Sequence, residues 1–280
     1  MQFKHTEIDL QEPHVMGILN VTPDSFSDGG QHNTVINAVK HGRKMIAGGA
    51  SFIDIGGEST RPGAPLVGEQ EELDRVIPVI EQLACENEVV ISVDTSKAAV
   101  MKAAVEAGAS LINDVRALTE PGAIEVAAAC DVPVCLMHMK GQPDNMQNAP
   151  TYDDVVDEVI NFLLGRIDAC KQAGIDDSQI MLDPGFGFGK QLDHNYQLLA
   201  ELGRINHLGY PLLIGMSRKS MIGDLLNKPV DKRMAGSIAL ATIAAQAGAK
   251  IIRVHDVDET VDAVKIVKKI QQIRKTIQGA

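Results

Sequence analysis

Short apolar runs alternate with longer segments of helical spacing along the whole chain. Eight runs, at residues 15–19, 52–55, 89–93, 110–113, 132–137, 180–182, 212–215 and 250–254, have the length and β-branched content of buried strands. Between most of them lie helical patterns, at 34–47, 69–85, 97–107, 152–173 and 237–247. The joints from helix to strand repeat one device: Gly49-Ala50, Gly108-Ala109 and Gly248-Ala249, with Gly174 in the same place after Ala173. Glycine accepts the left-handed conformation that stops a helix and turns the chain back toward the sheet. Strand, helix and strand in regular alternation predict an α/β fold, a (β/α)8 TIM barrel, as a single domain over residues 1–280. A doubly wound open sheet is the competing arrangement. Residues 63–68 and 141–150 read as surface loops with no fold of their own.

In such a barrel the chemistry sits where strands end. The first strand ends at Asn20, followed by the polar loop Val21-Thr22-Pro23-Asp24-Ser25-Phe26-Ser27-Asp28-Gly29-Gly30. The second runs into Gly56-Gly57-Glu58-Ser59-Thr60-Arg61-Pro62-Gly63, the third into Asp94-Thr95, the fourth into Asn113-Asp114 and the fifth into His138. The last three run into Asp183-Pro184-Gly185, Ser217-Arg218-Lys219-Ser220 and Arg253-Val254-His255-Asp256. Each has a bland reading taken alone. Asp94-Thr95-Ser96 can cap the next helix, Asp114 and Asp256 read as caps or supports, and His138 reads as a satisfied core histidine. Eight polar strand ends on one rim exceed what capping requires and predict a polar site at one mouth.

Charge then sorts the rim. The chain carries 26 Lys and Arg against 37 Asp and Glu, a net charge of −11, which disfavours nucleic acid and anionic membranes as partners. Within it, Arg61, Arg218, Lys219, Arg253 and His255 form a cationic group suited to a phosphate or carboxylate. Asp94, Asn113 and Asp183 form an acceptor-rich group suited to a ligand edge with several N–H donors, such as a 2-amino-4-oxo pyrimidine, with Lys219 donating to its carbonyl.

Several motifs fail. Gly185-Phe186-Gly187-Phe188-Gly189-Lys190 has neither dinucleotide-binding nor Walker A spacing, no His/Cys cluster has zinc spacing, and no nucleophile elbow is present. The metal expected is Mg²⁺ brought in by a diphosphate and touched by one amide oxygen. Cys85, Cys130, Cys135 and Cys170 show no CxxC spacing and read as reduced thiols. No signal-peptide pattern and no apolar run of 18 residues is visible, so a cytoplasmic protein is expected.

The stretches 17–30 and 54–63 resemble the two signatures of the dihydropteroate synthase family. Ser92-Val93-Asp94-Thr95, Asn113-Asp114, the 183–190 segment, Ser217-Arg218-Lys219-Ser220 and Arg253-Val254-His255-Asp256 match in family order, so the resemblance covers residues 13–258. It implies a free-standing bacterial form that joins 4-aminobenzoate to 6-hydroxymethyl-7,8-dihydropterin diphosphate in folate biosynthesis, releasing diphosphate. It also implies a homodimer and sulfonamides as inhibitors. Carried over by position, Asp94, Asn113, Asp183 and Lys219 hold the pterin, while Asn20, Thr60, Arg253 and His255 hold the diphosphate, Asn20 beside Mg²⁺. Phe188, Pro62, Ser217 and Lys219 line the aminobenzoate pocket, with Arg61 and Phe26 on closing loops. An SN1-like displacement is expected, with Asp94 and Asp28 stabilising a pterin-borne cation and Arg253 and His255 the leaving group. The rival readings are a pterin-dependent methyltransferase domain and a non-catalytic pterin-binding paralogue. The first has no use for the Arg253 and His255 pair, and the second is expected to lose Asn20, Asp28 or Arg61.

Overall fold

The computed structural model describes residues 1–22, 30–59, 64, 66–86, 89–141, 146 and 150–278, with residues 30–33 by backbone alone. Eight parallel strands form its centre: β3 (His14–Asn20), β4 (Phe52–Gly56), β5 (Val90–Asp94), β6 (Leu111–Asp114), β7 (Val134–Met137), β8 (Ile180–Asp183), β9 (Leu213–Ile214) and β10 (Ile251–Val254). They pair in the order β8-β7-β6-β5-β4-β3-β10-β9. A parallel bridge between Leu182 and Leu212 brings the two ends together, and Leu182 N–H donates to the Pro211 carbonyl at 3.0 Å. The sheet is therefore a nearly closed barrel, not a doubly wound open sheet.

Helices cover the outside: α1 (Gly30–Ala47), α2 (Glu69–Leu83), α3 (Ala98–Glu106), α4 (Ala123–Cys130), α5 (Val155–Gln172), α6 (Leu192–Ala200), α7 (Leu202–Asn206), α8 (Ser220–Leu226), α9 (Met234–Gln246) and α10 (Val257–Gln278). The predicted turns back into the sheet are present, with positive φ at Gly49, Gly108, Gly174 and Gly248. Two strands, β7 and β9, fall two residues short of their apolar runs. Pro133 cannot donate to a ladder, so β7 starts after it, and Leu212 next to Pro211 makes only the isolated bridge.

Side chains alternate between the barrel interior and the helices every second residue. Met16, Phe52, Val90, Leu111, Cys135, Met181, Leu213 and Ile251, one from each strand, meet in a single apolar layer. This layer is sealed by an element that the sequence pattern did not predict. A hairpin of β1 (Gln2–Phe3) and β2 (Thr6–Glu7) places Phe3 against Phe52, ring centroids 5.3 Å apart and edge-on. Leu10 joins the same cluster. The outward positions, such as Leu19, Ile53, Ile55, Ile91 and Val93, pack against the helices as a second core. Two residues beyond the apolar layer, the inward positions turn polar: Asp54 on β4, Ser92 on β5, Asn113 on β6, Asp183 on β8 and Arg253 on β10. The barrel thus has a dry floor and a polar mouth at the carboxyl ends of its strands.

Candidate active site

Asp54 is the deepest charged group of the mouth, with no solvent exposure. Its Oδ1 accepts from Ser92 Oγ at 2.6 Å, and its Oδ2 accepts from Asn113 Nδ2 at 3.1 Å and from Arg253 Nε at 2.5 Å. Arg253 Nη2 donates to Asp94 Oδ2 at 2.8 Å, so one guanidinium spans two carboxylates. Burial opposes the charge on Arg253, but Asp54 and Asp94 overcome it and raise its pKa. Asp94 is pushed up to about 7, mainly by burial, with Arg253 opposing. Asn20, Gly56, Asp94 and Asn113 stand opposite one another in register across β3 to β6. Gly56, between Asn20 and Asp94, brings no side chain; a Cβ there would lie 3.4 Å from the Asp94 Cβ.

Asp183 ends β8. Its Oδ1 accepts from Gly185 N–H at 2.7 Å, and burial raises its pKa, with Lys219 opposing. Lys219 Nζ donates to the Phe186 carbonyl at 2.5 Å and lies 4.5 Å from the centre of the Phe188 ring. Burial brings Lys219 down to about 8 against the pull of Asp183. Ser217 Oγ lies 3.0 Å from His255 Nδ1 and accepts from the His255 N–H at 3.1 Å. Among the described residues, Asp94 Oδ1, Asn113 Oδ1 and Asp183 Oδ2 accept no hydrogen bond. The mouth therefore offers three acceptor atoms and the Lys219 ammonium, which feels the charges of Asp183 and Asp94.

The cationic group expected from the sequence splits in the structure. Arg218 takes φ +57 and turns away from its neighbour Lys219. Its Nε donates to Asp256 Oδ2 at 3.0 Å and its Nη2 pairs with Asp256 Oδ1, so this cation is already neutralised. Arg253 is likewise held by carboxylates, inside the acceptor group. The bland readings of Asp114 and His138 stand. Asp114 accepts from Ser96 Oγ and from the N–H groups of Arg116 and Leu118, and His138 is buried with its ring edge-on to Phe162. Asp28, Thr60, Arg61 and Pro62 lie outside the described residues. The stem of the second loop is fixed: Glu58 accepts from Val67 N–H at 3.2 Å and from Lys97 Nζ at 2.7 Å, and Lys97 also donates to the buried Glu72 at 2.5 Å.

Two residues were missed from sequence. Asp54 had a signal, a carboxylate at inward parity inside the apolar run Phe52-Ile53-Asp54-Ile55. Lys190 ends the segment dismissed as a failed nucleotide motif. Its Nζ is buried, 2.9 Å from His138 Nδ1, and donates to the carbonyls of Gly185 at 2.8 Å and Phe188 at 3.1 Å. Burial pushes Lys190 well below its usual value and His138 down to about 2, so the imidazole is neutral. This clasp sets the 185–190 loop and with it the Phe186 carbonyl and the Phe188 ring that flank Lys219. Gly185 is obligatory in the loop: its φ is +71, and a Cβ there would stand 1.8 Å from the His138 carbonyl oxygen.

The model of the pterin binding enzyme family matches residues 16–255, from the floor residue Met16 to His255 at the mouth. The dihydropteroate synthase of Escherichia coli strain K12 is 60% identical over 263 residues, which cover 94% of this chain and 93% of that one. The chain belongs to the dihydropteroate synthase family. The Yersinia pestis dihydropteroate synthase, solved as a sulfonamide drug complex, superposes with a TM-score of 0.93 at 58% identity, covering 97% of this chain and 99% of that one. The Xanthomonas albilineans dihydropteroate synthase with 4-aminobenzoic acid gives a TM-score of 0.89 at 54% identity, covering 94% and 95%. The same organism's enzyme in complex with 7,8-dihydropteroate gives 0.86 at 52%, again covering 94% and 95%.

Lys190→Met removes the donor that ties two carbonyls of the loop, those of Gly185 and Phe188, to His138 outside it. It should cost about 2–4 kcal/mol in urea unfolding. An exposed control such as Lys269→Met should stay within about 0.5 kcal/mol. Equal stability of the two variants would remove the clasp from the account.

Proposed function

We infer that this chain is a dihydropteroate synthase, a transferase that condenses 6-hydroxymethyl-7,8-dihydropterin diphosphate with 4-aminobenzoate to give 7,8-dihydropteroate and diphosphate. One observation carries the reading beyond family membership. The three open acceptors, together with the Lys219 ammonium coupled to Asp183 and Asp94, are the complement of a pterin edge, which has N–H donors on its amino-pyrimidine side and one carbonyl oxygen.

Asp94, Asn113, Asp183 and Lys219 hold the pterin in this reading. Asn20, Thr60, Arg253 and His255 take the diphosphate, and Phe188, Ser217, Lys219, Pro62 and Arg61 receive the aminobenzoate. The bond from the methylene carbon to the diphosphate oxygen breaks first, and its electron pair leaves with the diphosphate. The positive charge spreads into the electron-rich dihydropterin ring, where Asp94 and Asp28 stabilise it. The arylamine nitrogen then forms the new C–N bond and releases one proton. No general base is needed for so weakly basic a nucleophile at so electrophilic a carbon. Arg253 turns from Asp94 toward the leaving group as the pterin N–H groups replace it there.

Mg²⁺ fits as an ion that arrives with the diphosphate. Among the described residues no group of three His, Cys, Asp or Glu could hold a metal ion, while the Asn20 side chain at the end of β3 supplies one amide oxygen beside the mouth. When bound, the ion would offset charge on the departing diphosphate. A homodimer is part of the same proposal: Ile266, Ile270 and Ile273 form an exposed stripe at four- and three-residue spacing on α10, and Ile243 is exposed on α9, which packs against α10. No helix among the described residues is long and apolar enough to cross a membrane, and the four cysteines are free. Both accord with a cytoplasmic protein, and residues 1–280 are taken as one pterin-binding domain.

The deciding experiment mixes purified protein, 4-aminobenzoate and the pterin diphosphate with Mg²⁺, with or without EDTA, and follows products by mass spectrometry. Dihydropteroate forming only without chelator is the expected result, and its absence under both conditions would overturn the reading. Pterin affinity should also follow a bell in pH. Below about 7, Asp94 gains a proton and its open oxygen no longer accepts freely; above about 8, Lys219 loses its charge. Calorimetry should find the tightest binding between those values, with the acidic limb gone in Asp94→Asn; a flat profile would count against both assignments. Sedimentation equilibrium should return twice the chain mass of 30.0 kDa, and a monomer would remove the α10 stripe from the proposal.

A further inference from the structure

We propose that Asp54 is a positioning residue that sets ligand specificity by locking the orientation of the Asn113 amide. A terminal amide carries a donor and an acceptor of nearly equal size, so an unsupported asparagine in a binding site can turn over and present either. Asn113 is 4% exposed and its Nδ2 donates to Asp54 Oδ2 at 3.1 Å. An ionised carboxylate has no hydrogen to give, so it can pair only with the amino end of the amide. Turning Asn113 over would set its carbonyl oxygen against the Asp54 carboxylate, two acceptors with no proton between them. The open atom of Asn113 is consequently Oδ1, an acceptor.

Asp54 is itself unable to turn or to change roles. Ser92 Oγ occupies its Oδ1, while Asn113 and Arg253 share its Oδ2. Both oxygens accept hydrogen bonds and the residue has no exposed surface, so neither is accessible to a ligand. Three donors, Ser92 Oγ, Asn113 Nδ2 and the Arg253 guanidinium at 2.5 Å, converge on this carboxylate and use it as an acceptor. The polarity imposed at the bottom is thereby transmitted to the surface of the site: Asp54 accepts, Asn113 donates inward, and Asn113 accepts outward. A ligand that meets Asn113 must bring a hydrogen. This inference rests on the pterin reading, and it selects 2-amino pteridines over 2-oxo pteridines, which replace that amino group by an oxygen.

The test measures affinities for 6-hydroxymethylpterin and its 2-oxo counterpart, 6-hydroxymethyllumazine, in the wild type and in Asp54→Asn. The substituted amide can offer either end, so Asn113 is released to turn. The ratio of the two affinities is the readout, because any loosening of Arg253 weakens both ligands alike. Wild type should favour the pterin strongly, and Asp54→Asn should narrow the ratio on the order of 10-fold. An unchanged ratio in a folded variant would overturn the proposal. A second measurement needs no variant: the Asn113 side-chain NH2 signals in ¹⁵N NMR should move little when 6-hydroxymethylpterin binds the wild type, since Nδ2 faces Asp54. A large shift, with the signals following the ligand, would place the donor end outward and overturn the proposal. Failure of the wild type to bind either pteridine would instead strike the pterin reading itself.

Discussion

A strand in a closed barrel has one inward position in every two, and everything at the mouth follows from how those positions are spent. The first inward layer is wholly apolar and sealed by Phe3 and Leu10. The polar layer above it is therefore cut off from water on one side, and its deepest charge, Asp54, is satisfied entirely by other side chains. Asp54, Asp94 and Asp183 set three carboxylates against Arg253 and Lys219 in this small volume. Burial is the leading influence on the protonation of Asp94, Asp183 and Lys219. Such a cluster is costly to assemble and contributes little to stability by itself. Its value lies in holding unpaired atoms in place before anything binds, which is the form that catalytic preorganisation takes.

The two loops that shape the mouth are held by lysines acting in opposite ways. Lys97 joins carboxylates, Glu58 and Glu72, and so works as an ordinary charge bridge under the second loop. Among the described residues, Lys190 meets no carboxylate within hydrogen-bonding reach; an imidazole nitrogen and backbone carbonyls surround it. The first arrangement ties a loop to two helices through charge. The second shapes a loop from within by gathering its carbonyls, and it presents the outer rim of that loop to Lys219.

Much of this was legible from residues alone, for a physical reason. The two-residue strand period and the glycine-ended helices are local signals, so eight strands, their order and their polar ends could be read directly. Asn20, Asp94, Asn113 and Asp183 fall in the last two residues of their strands and His255 directly after its strand for the same reason, while Lys219 stands at the start of α8. Pairing was not legible. Arg218 and Lys219 are adjacent and alike in charge, yet a left-handed backbone at Arg218 turns one to Asp256 and leaves the other facing Phe188. Arg253 is separated from Asp54 by 199 residues, and only barrel closure brings them together. The β1–β2 hairpin was invisible because strands of two residues carry no period.

A closed sheet has no edge, but this one closes through a single bridge beside the two-residue strand β9. The molecule therefore carries a latent edge between β8 and β9, the place where cooperative pairing is thinnest and local opening costs least. Asp183 stands on one side of that seam and Lys219 on the other, while Asp54, Arg253, Asp94 and Asn113 all belong to the firmly paired run from β10 through β6. Any molecule gripped by Asp183 and Lys219 at once acts as a staple across the seam, so the ligand completes the barrel that binds it.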